Sequence, residues 1–196
     1  MLNNRKAALE GVLDRCLSAF VEAGTLDLSL DQLASRVGIS KRMLVHYFGG
    51  RENIEEGAMT RLEETLRAQF ATDSFPGRAR PELVVTALWN QATAPESRSV
   101  LLLVMDLSRR AWKGSKRAKA FYEEQQRLWV ELLLKFLPDQ AAVEEVLQLF
   151  QGALLTYLIT GDRDSGRRVL LRTLSRRHKT TRRLISGKRN RNAKPV

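Results

Sequence analysis

Residues Ser29 to Phe48 read SLDQLASRVGISKRMLVHYF, and their spacing predicts two short helices joined by a tight turn. Ser29 followed by Gln32 is a capping box: the hydroxyl accepts from the third amide of the helix, and the Gln side chain reaches back to the cap. Asp31 puts negative charge at the positive end of the helix dipole. Leu30, Leu33, Ala34 and Val37 fall at i, i+3, i+4 and i+7, which makes one apolar face. Ala34 is small enough to let another helix approach closely. Gly38 supplies the left-handed residue that ends the helix. Ile39 plugs the turn, and Ser40 caps the next helix. In that second helix Leu44, Tyr47 and Phe48 form an inward face, leaving Lys41, Arg42, Met43 and His46 outward.

Helix pairs joined by a short Gly-containing turn are a recurrent unit. The DNA-binding version sets the N-terminal residues of its second helix against base edges. Lys41 and Arg42 stand at that end, where a cationic side chain donates to guanine O6 and N7. An ordinary helical corner with solvated Lys and Arg has the same spacing, so both readings stand on spacing alone.

The stretch from Gly24 to Ile54 resembles the N-terminal domain of the TetR family of transcriptional regulators. The family pattern runs from a first helix ending in Phe and Gly through Thr-x-x-x-Ile-Ala, a Gly-Val-Ser turn, Leu-Tyr-x-His/Tyr-Phe and Lys-x-x-Leu. Here it reads Phe20 and Gly24, Ser29 with Leu33-Ala34, Gly38-Ile39-Ser40, Leu44-Val45-His46-Tyr47-Phe48, and Arg51 with Ile54. The resemblance covers roughly the first quarter of the chain; beyond it only length and helical organisation match. It implies that Ser29 contacts phosphate, with Ser40 capping the reading helix. It also implies that Lys41, Arg42 and Met43 face bases, and that Tyr47 and Arg51 bind the backbone. Arg51 replaces the usual Lys, a change of geometry but not of charge. Val45 departs from the usual Tyr. It keeps an apolar contact but cannot donate a hydrogen bond, and the adjacent His46 is the candidate to take over part of that role.

The charge lies elsewhere. The chain of 196 residues carries 33 Lys and Arg against 22 Asp and Glu, a formal +11. From Arg167 onward there are 12 basic residues and no acidic ones, which leaves 21 basic and 22 acidic before it, a net of −1. The helix-turn-helix is thus nearly neutral. Residues 179–196 read as a basic, disordered tail suited to nonspecific phosphate contact or to plain solvation. One cysteine, Cys16, excludes an intramolecular disulfide and suits a reducing cytoplasm. It shares the apolar face of the first helix with Leu9, Leu13, Leu17 and Phe20. Met1 to Glu10 is polar, with no apolar core of a secretory signal. Apolar runs such as Leu101–Met105 and Leu132–Leu134 are too short to span a bilayer, so no membrane partner is expected.

The remainder reads as helices, near 5–22, 51–72, 80–92, 96–113, 116–137, 140–160 and 164–178. A turn at Asp73–Gly77 and start signals at Thr93-x-Pro95-Glu96 and Pro138-Asp139 separate them. The expected fold is all-α with about nine helices. Residues 1–50 form a helix-turn-helix domain, 51–178 a helical regulatory and dimerisation domain, and 179–196 the tail. Val143, Val146, Leu147, Phe150, Leu154, Tyr157 and Leu158 give a broad apolar stripe, with Leu170 and Leu174 on the helix that follows. In TetR-like proteins such a helix pair dimerises, so Val143, Leu147, Phe150, Leu154, Tyr157, Leu170 and Leu174 are the expected interface of a homodimer. Trp89, Met105, Trp112, Tyr122 and Trp129 lie in the helices that surround the ligand cavity of such proteins. They suit an apolar effector pocket and equally a plain helical core.

Enzyme chemistry finds little support. The histidines are His46 and His178, and there is no P-loop, G-x-S-x-G, G-x-G-x-x-G or H-E-x-x-H. Asp162-x-Asp164-x-Gly166 begins like a calcium loop but lacks the later ligands. No cofactor or metal is expected. The resemblance implies a cytoplasmic, homodimeric repressor that binds a palindromic double-stranded DNA operator and leaves it when a small-molecule effector binds. The alternative is a nonspecific nucleic-acid-binding protein that uses its basic tail and senses nothing.

Overall fold

A computed structural model of the chain describes residues 2–69 and 79–176. The expected helix end at 70–72, the turn at 73–77, residues 177–178 and the tail 179–196 lie outside the described residues. Among the described residues the structure is helical throughout, with α1 Leu2–Ala23, α2 Leu30–Val37, α3 Lys41–Phe48, α4 Arg51–Gln69 and α5 Pro81–Ala92. A 3-10 turn, Pro95–Ser97, leads into α6 Arg98–Trp112. Then come α7 Lys116–Leu133, α8 Gln140–Thr160 and a last helix, α9, over 163–176. The all-α expectation holds.

Two helix ends differ from the sequence reading, each for a local reason. Thr93 does not start α6. It is buried, and its hydroxyl donates to the Trp89 carbonyl at 2.7 Å, which closes the end of α5. α7 stops at Leu133 rather than 137, and the chain tightens into a turn in which the Leu137 amide donates to the Leu133 carbonyl. Pro138 disfavours helix in the residue before it, so the turn is where the helix can end. The Asp139 side chain then caps α8 by accepting from the Ala142 amide at 2.8 Å. The acidic stretch that began like a calcium loop is also a cap. Asp162 Oδ1 accepts from the amides of Asp164 and Ser165, the first free donors of α9.

The chain divides into two compact units, Met1–Ser74 with Pro95–Trp129, and Phe75–Ala94 with Val130–Val196. In the first, Val12, Cys16, Ala19 and Phe20 of α1 pack with Ile54, Ala58, Met59 and Leu62 of α4. Leu103 and Leu107 of α6 and Phe121 of α7 complete that core, together with the inward faces of α2 and α3. Each fully buried side chain of this size stabilises the fold by about 1.5–3 kcal/mol, which fixes the helix-turn-helix on a rigid base.

The second unit is built around Trp89, which is fully buried. Its ring meets Phe150 edge-on with centroids 5.5 Å apart, and its indole N–H donates to the Arg163 carbonyl at 3.1 Å. Arg163 Nε in turn donates to the Thr93 hydroxyl at 2.6 Å, and the Tyr157 hydroxyl donates to the Thr93 carbonyl. α5, α8 and α9 are therefore joined by one polar knot beside one aromatic cluster. By length and composition α8 is apolar enough to cross a membrane, a stretch the expectation drawn from Leu101–Met105 and Leu132–Leu134 did not consider. In this fold Val143, Val146, Leu147, Phe150 and Leu154 of α8 are buried in the protein's own core.

Candidate nucleic-acid interface

The α2–α3 pair forms as its caps dictate. Ser29 Oγ accepts from the Gln32 amide at 3.1 Å, and Gln32 Oε1 accepts from the Ser29 amide at 2.8 Å, so both halves of the capping box are made. Gly38 adopts φ +76°, a left-handed conformation that costs a residue with a Cβ far more than glycine. Its amide donates to the Ala34 carbonyl at 3.0 Å and closes α2. Ser40 Oγ then accepts from the Met43 amide and starts α3. Leu33, Ala34 and Val37 of α2 and Leu44 of α3 are buried, while Tyr47 and Phe48 are half-buried against the same core.

This packing turns one face of α3 outward. Arg42, Met43, Val45 and His46 are exposed on it. Among the described residues no carboxylate pairs with Arg42. Lys41 is different, because its ammonium is 2.9 Å from Asp31 Oδ2 across the turn. Both members of that pair are more than half exposed, so the contact orients Lys41 more than it stabilises the fold. Ser29 and Ser40 are exposed at the two helix starts, their oxygens occupied as acceptors but their hydroxyl protons available.

Arg51, at the start of α4, is held from within. Its Nε donates to Glu55 at 2.5 Å and its guanidinium donates to the Leu26 carbonyl at 2.9 Å, with Asp27 at 3.9 Å. It belongs to a wider network that no local sequence pattern signals. Asp106 of α6 is nearly buried and accepts from the Thr25 hydroxyl, the Leu26 amide, Arg109 and Arg110. Arg110 also reaches Glu55 at 3.1 Å and Asp27 at 2.5 Å. Burial pushes the Asp106 carboxyl up, but the hydrogen bonds from Arg109, the Leu26 amide and Thr25, with the charge of Arg110, outweigh it and hold the group below its ordinary value. The loop before α2, the start of α4 and α6 are thereby tied together.

No family model matches the chain. Over 93 residues, 47% of this chain and 69% of the relative, it is 26% identical to an uncharacterized HTH-type transcriptional regulator, TtgW, of Pseudomonas putida. Over 100 residues it is 27% identical to the HTH-type transcriptional regulator SrpR, also of Pseudomonas putida, spanning 48% of this chain and 46% of that protein. Among solved structures, a TetR transcription regulator from Haloarcula marismortui ATCC 43049 matches with a TM-score of 0.66 at 14% identity, over 87% of this chain and 97% of that one. A TetR-family transcriptional regulator from Streptomyces coelicolor matches with a TM-score of 0.60 at 19% identity, over 89% of this chain and 78% of that one. The fold is that of the TetR-family regulators.

Of the pocket set, Trp89 is locked inside the second unit. In the first unit Met105 and Trp129 are half-buried, whereas Trp112 is 86% exposed and Tyr122 is exposed as well. Trp112 and Tyr122 therefore do not line an enclosed cavity of the described chain. A cleft of about 340 Å³ does open in the first unit, but Glu52, Glu55, Glu56, Arg110 and Arg117 line it, and none of the five expected residues does. Leu26, Met59 and Ala118 line it beside those charges.

The expected dimer set also needs correction. Val143, Leu147, Phe150, Leu154, Leu170 and Leu174 are buried within their own chain, and Tyr157 is half-buried with its hydroxyl engaged. Their stripe includes Phe150, whose ring meets that of Trp89 edge-on. The apolar side chains that α8 and α9 leave exposed are Leu155, Ile159 and Val169, with Gly152 in line on α8. Sequence periodicity could not choose between two faces of a helix that is apolar on both.

Proposed function

We propose that this protein is a DNA-binding transcriptional regulator of the TetR type, with α3 as its recognition helix. The observation that carries this reading is the outward face of α3, where Arg42, Met43, Val45 and His46 stand free while the opposite face is buried. Ser29, Ser40, Lys41, Tyr47 and Arg51 flank that face at the two motif helices and the start of α4. The protein acts as a cytoplasmic homodimer, because one eight-residue helix reads few base pairs and two copies on a palindromic operator double the contact. The exposed Leu155, Ile159 and Val169 supply apolar surface for the pairing. Repression relieved by a small-molecule effector completes the reading. Such control requires that the effector bind the DNA-free state more tightly than the DNA-bound one.

Selection from random duplex DNA, followed by salt titrations of the enriched and random duplexes, tests it. A specific ratio of about a thousandfold or more is expected at physiological salt. Equal affinity for all sequences would refute the operator reading and favour the nonspecific alternative that uses the basic tail.

A further inference from the structure

The cation that opens α4 is held by carboxylates that α6 also engages. Arg51 donates from Nε to Glu55 Oε1 at 2.5 Å and from a terminal nitrogen to the Leu26 carbonyl at 2.9 Å. A guanidinium has five N–H donors, so three of them remain, and the side chain is 39% exposed. Both carboxylates beside it are shared. Glu55 turns its second oxygen to Arg110, 3.1 Å away. Asp27 lies 3.9 Å from Arg51, but 2.5 Å from Arg110 and 2.8 Å from Arg109. Asp106, on the same helix as Arg109 and Arg110, anchors both of them.

We propose that Arg109 and Arg110 of α6 are positioning residues for DNA binding: by drawing Asp27 and Glu55 to themselves, they leave Arg51 free to take a phosphate. The inference rests on the DNA-binding reading above, which gives the two α6 arginines no contact with DNA. A carboxylate takes a guanidinium best as a fork, through two parallel N–H···O bonds. Glu55 gives Arg51 one oxygen because Arg110 holds the other, and Asp27 stands too far from Arg51 for a hydrogen bond. Without Arg110, Glu55 can close on Arg51 with both oxygens, and Asp27, held by Arg109 alone, has an oxygen to turn toward it. A phosphate would then have to displace two charge-assisted contacts rather than one. Glu55 and Arg110 are 18% and 20% exposed, so salt screens this competition less than it screens a surface pair. Because both arginines belong to α6, a movement of that helix would alter the phosphate grip of α4 through charge, without moving α3.

The test uses the full chain and two duplexes, the one enriched by selection and a random one. Arg110→Met keeps most of the side-chain length and removes its charge. It should weaken binding to both duplexes by the same factor, about five- to tenfold, and lower the salt slope by about 0.9 for each phosphate contact of Arg51 lost. On an Arg51→Ala background it should change neither, since the group it acts through is gone. Adding Glu55→Gln to Arg110→Met should restore both affinity and slope. Affinities are compared at a temperature where melting shows every variant folded, and a merely structural role would give neither the cancellation nor the rescue. Arg109→Met, at a position 43% exposed, is the second variant; of the two carboxylates beside Arg51 it releases only Asp27, so the loss should be about two- to threefold. Unchanged affinity and salt slope in both Arg109→Met and Arg110→Met overturn the inference while the operator reading stands. So does an Arg110→Met loss that persists undiminished on the Arg51→Ala background, or an Arg51→Ala variant that binds both duplexes as tightly as the wild type. If selection enriches no sequence, the operator reading fails, and the random duplex still decides whether α6 governs Arg51.

Discussion

Replacing Asp106 with Asn removes one charge and almost no volume, which makes it a clean probe of the network that ties α6 to the helix-turn-helix. The Asp106 side chain is 8% exposed. Its Oδ2 accepts from the Thr25 hydroxyl at 3.0 Å, the Leu26 amide at 3.1 Å and Arg110 Nε at 3.2 Å, while Oδ1 takes two bonds from Arg109. An Asn can keep its oxygen on the Thr25 side only by turning its NH2 toward Arg109. Arg109 is 43% exposed and can swing into water at small cost, but Arg110 is 20% exposed and loses a charge partner. Losing the charge assistance of the three Oδ2 bonds, with Arg110 still shared by Glu55 and Asp27, should cost about 2–3 kcal/mol. At about 2–4 °C per kcal/mol for a chain of this size, Tm should fall by about 4–12 °C in a thermal melt at pH 7. Acid gives a second readout. The Asp106 carboxyl titrates below its ordinary value, so its contribution is present above the unfolded carboxyl value near pH 4 and is lost as pH falls through the folded one. The gap between wild type and variant should therefore close in acid. Asp14→Asn is the control, because Asp14 meets Arg61 at 2.7 Å but is 52% exposed, and such a pair contributes about 0–1 kcal/mol. Equal melting of wild type and Asp106→Asn at pH 7, or a gap independent of pH, would refute the assignment of Asp106 as the centre of the network.

Three further outcomes follow from the geometry. Gly166→Ala would press a methyl into the Trp89 ring, which Phe150 and the Arg163 carbonyl hold in place, so it should destabilise the protein by about 1–3 kcal/mol in a denaturant titration; Gly11→Ala meets nothing within 4 Å in α1 and should stabilise by about 0.5–1 kcal/mol. Cys16 is fully buried, and burial pushes its thiol up to about 11 despite nearby Arg15, so a thiol reagent at pH 8 should leave the native protein unlabelled and label it fully on unfolding. Asp31→Asn removes a negative charge beside the interface and frees Lys41, so it should tighten duplex binding and steepen the salt slope by about 0.9 for each phosphate newly contacted, whereas an unchanged slope would show that Asp31 does not restrain Lys41.

How much of this was legible in the sequence depended on the range of the interaction. The capping box at Ser29, the Gly38 turn and the inward face of α2 are set by residues within one or two helical turns, and each formed as expected. The Asp139 cap of α8 is of the same kind. Pairings between elements left no such trace. Asp31 and Lys41 meet because Gly38 reverses the chain between them, and Asp106 meets Leu26 across 80 residues. The α8 stripe shows the limit most clearly. Its apolar residues were visible, but which face closes the core depended on Trp89, brought in by α5, and on Arg163, brought in by α9. Trp112 erred in the opposite direction, since a large apolar residue near the end of a helix has no neighbour that forces it inward.

Two cations of the DNA-binding region, Lys41 and Arg51, are engaged by carboxylates, and Arg51 shares its acceptors with Arg109 and Arg110 of α6. Arg51, Arg109 and Arg110 share Asp27, Glu55 and Asp106 as acceptors, and Lys41 is drawn to Asp31. For Arg51 to grip a phosphate it must loosen bonds to Glu55 and to the Leu26 carbonyl that already use its donors. The gain on binding is the difference between two charge-assisted contacts, not the full value of one. A reader built this way gains little from nonspecific phosphate attraction. It leaves discrimination to what α3 exposes without a competing partner, the Arg42 guanidinium and the apolar ends of Met43 and Val45. The surplus positive charge of the chain, from Arg167 onward, then has a separate effect. It can raise affinity for any duplex, but it cannot choose a sequence.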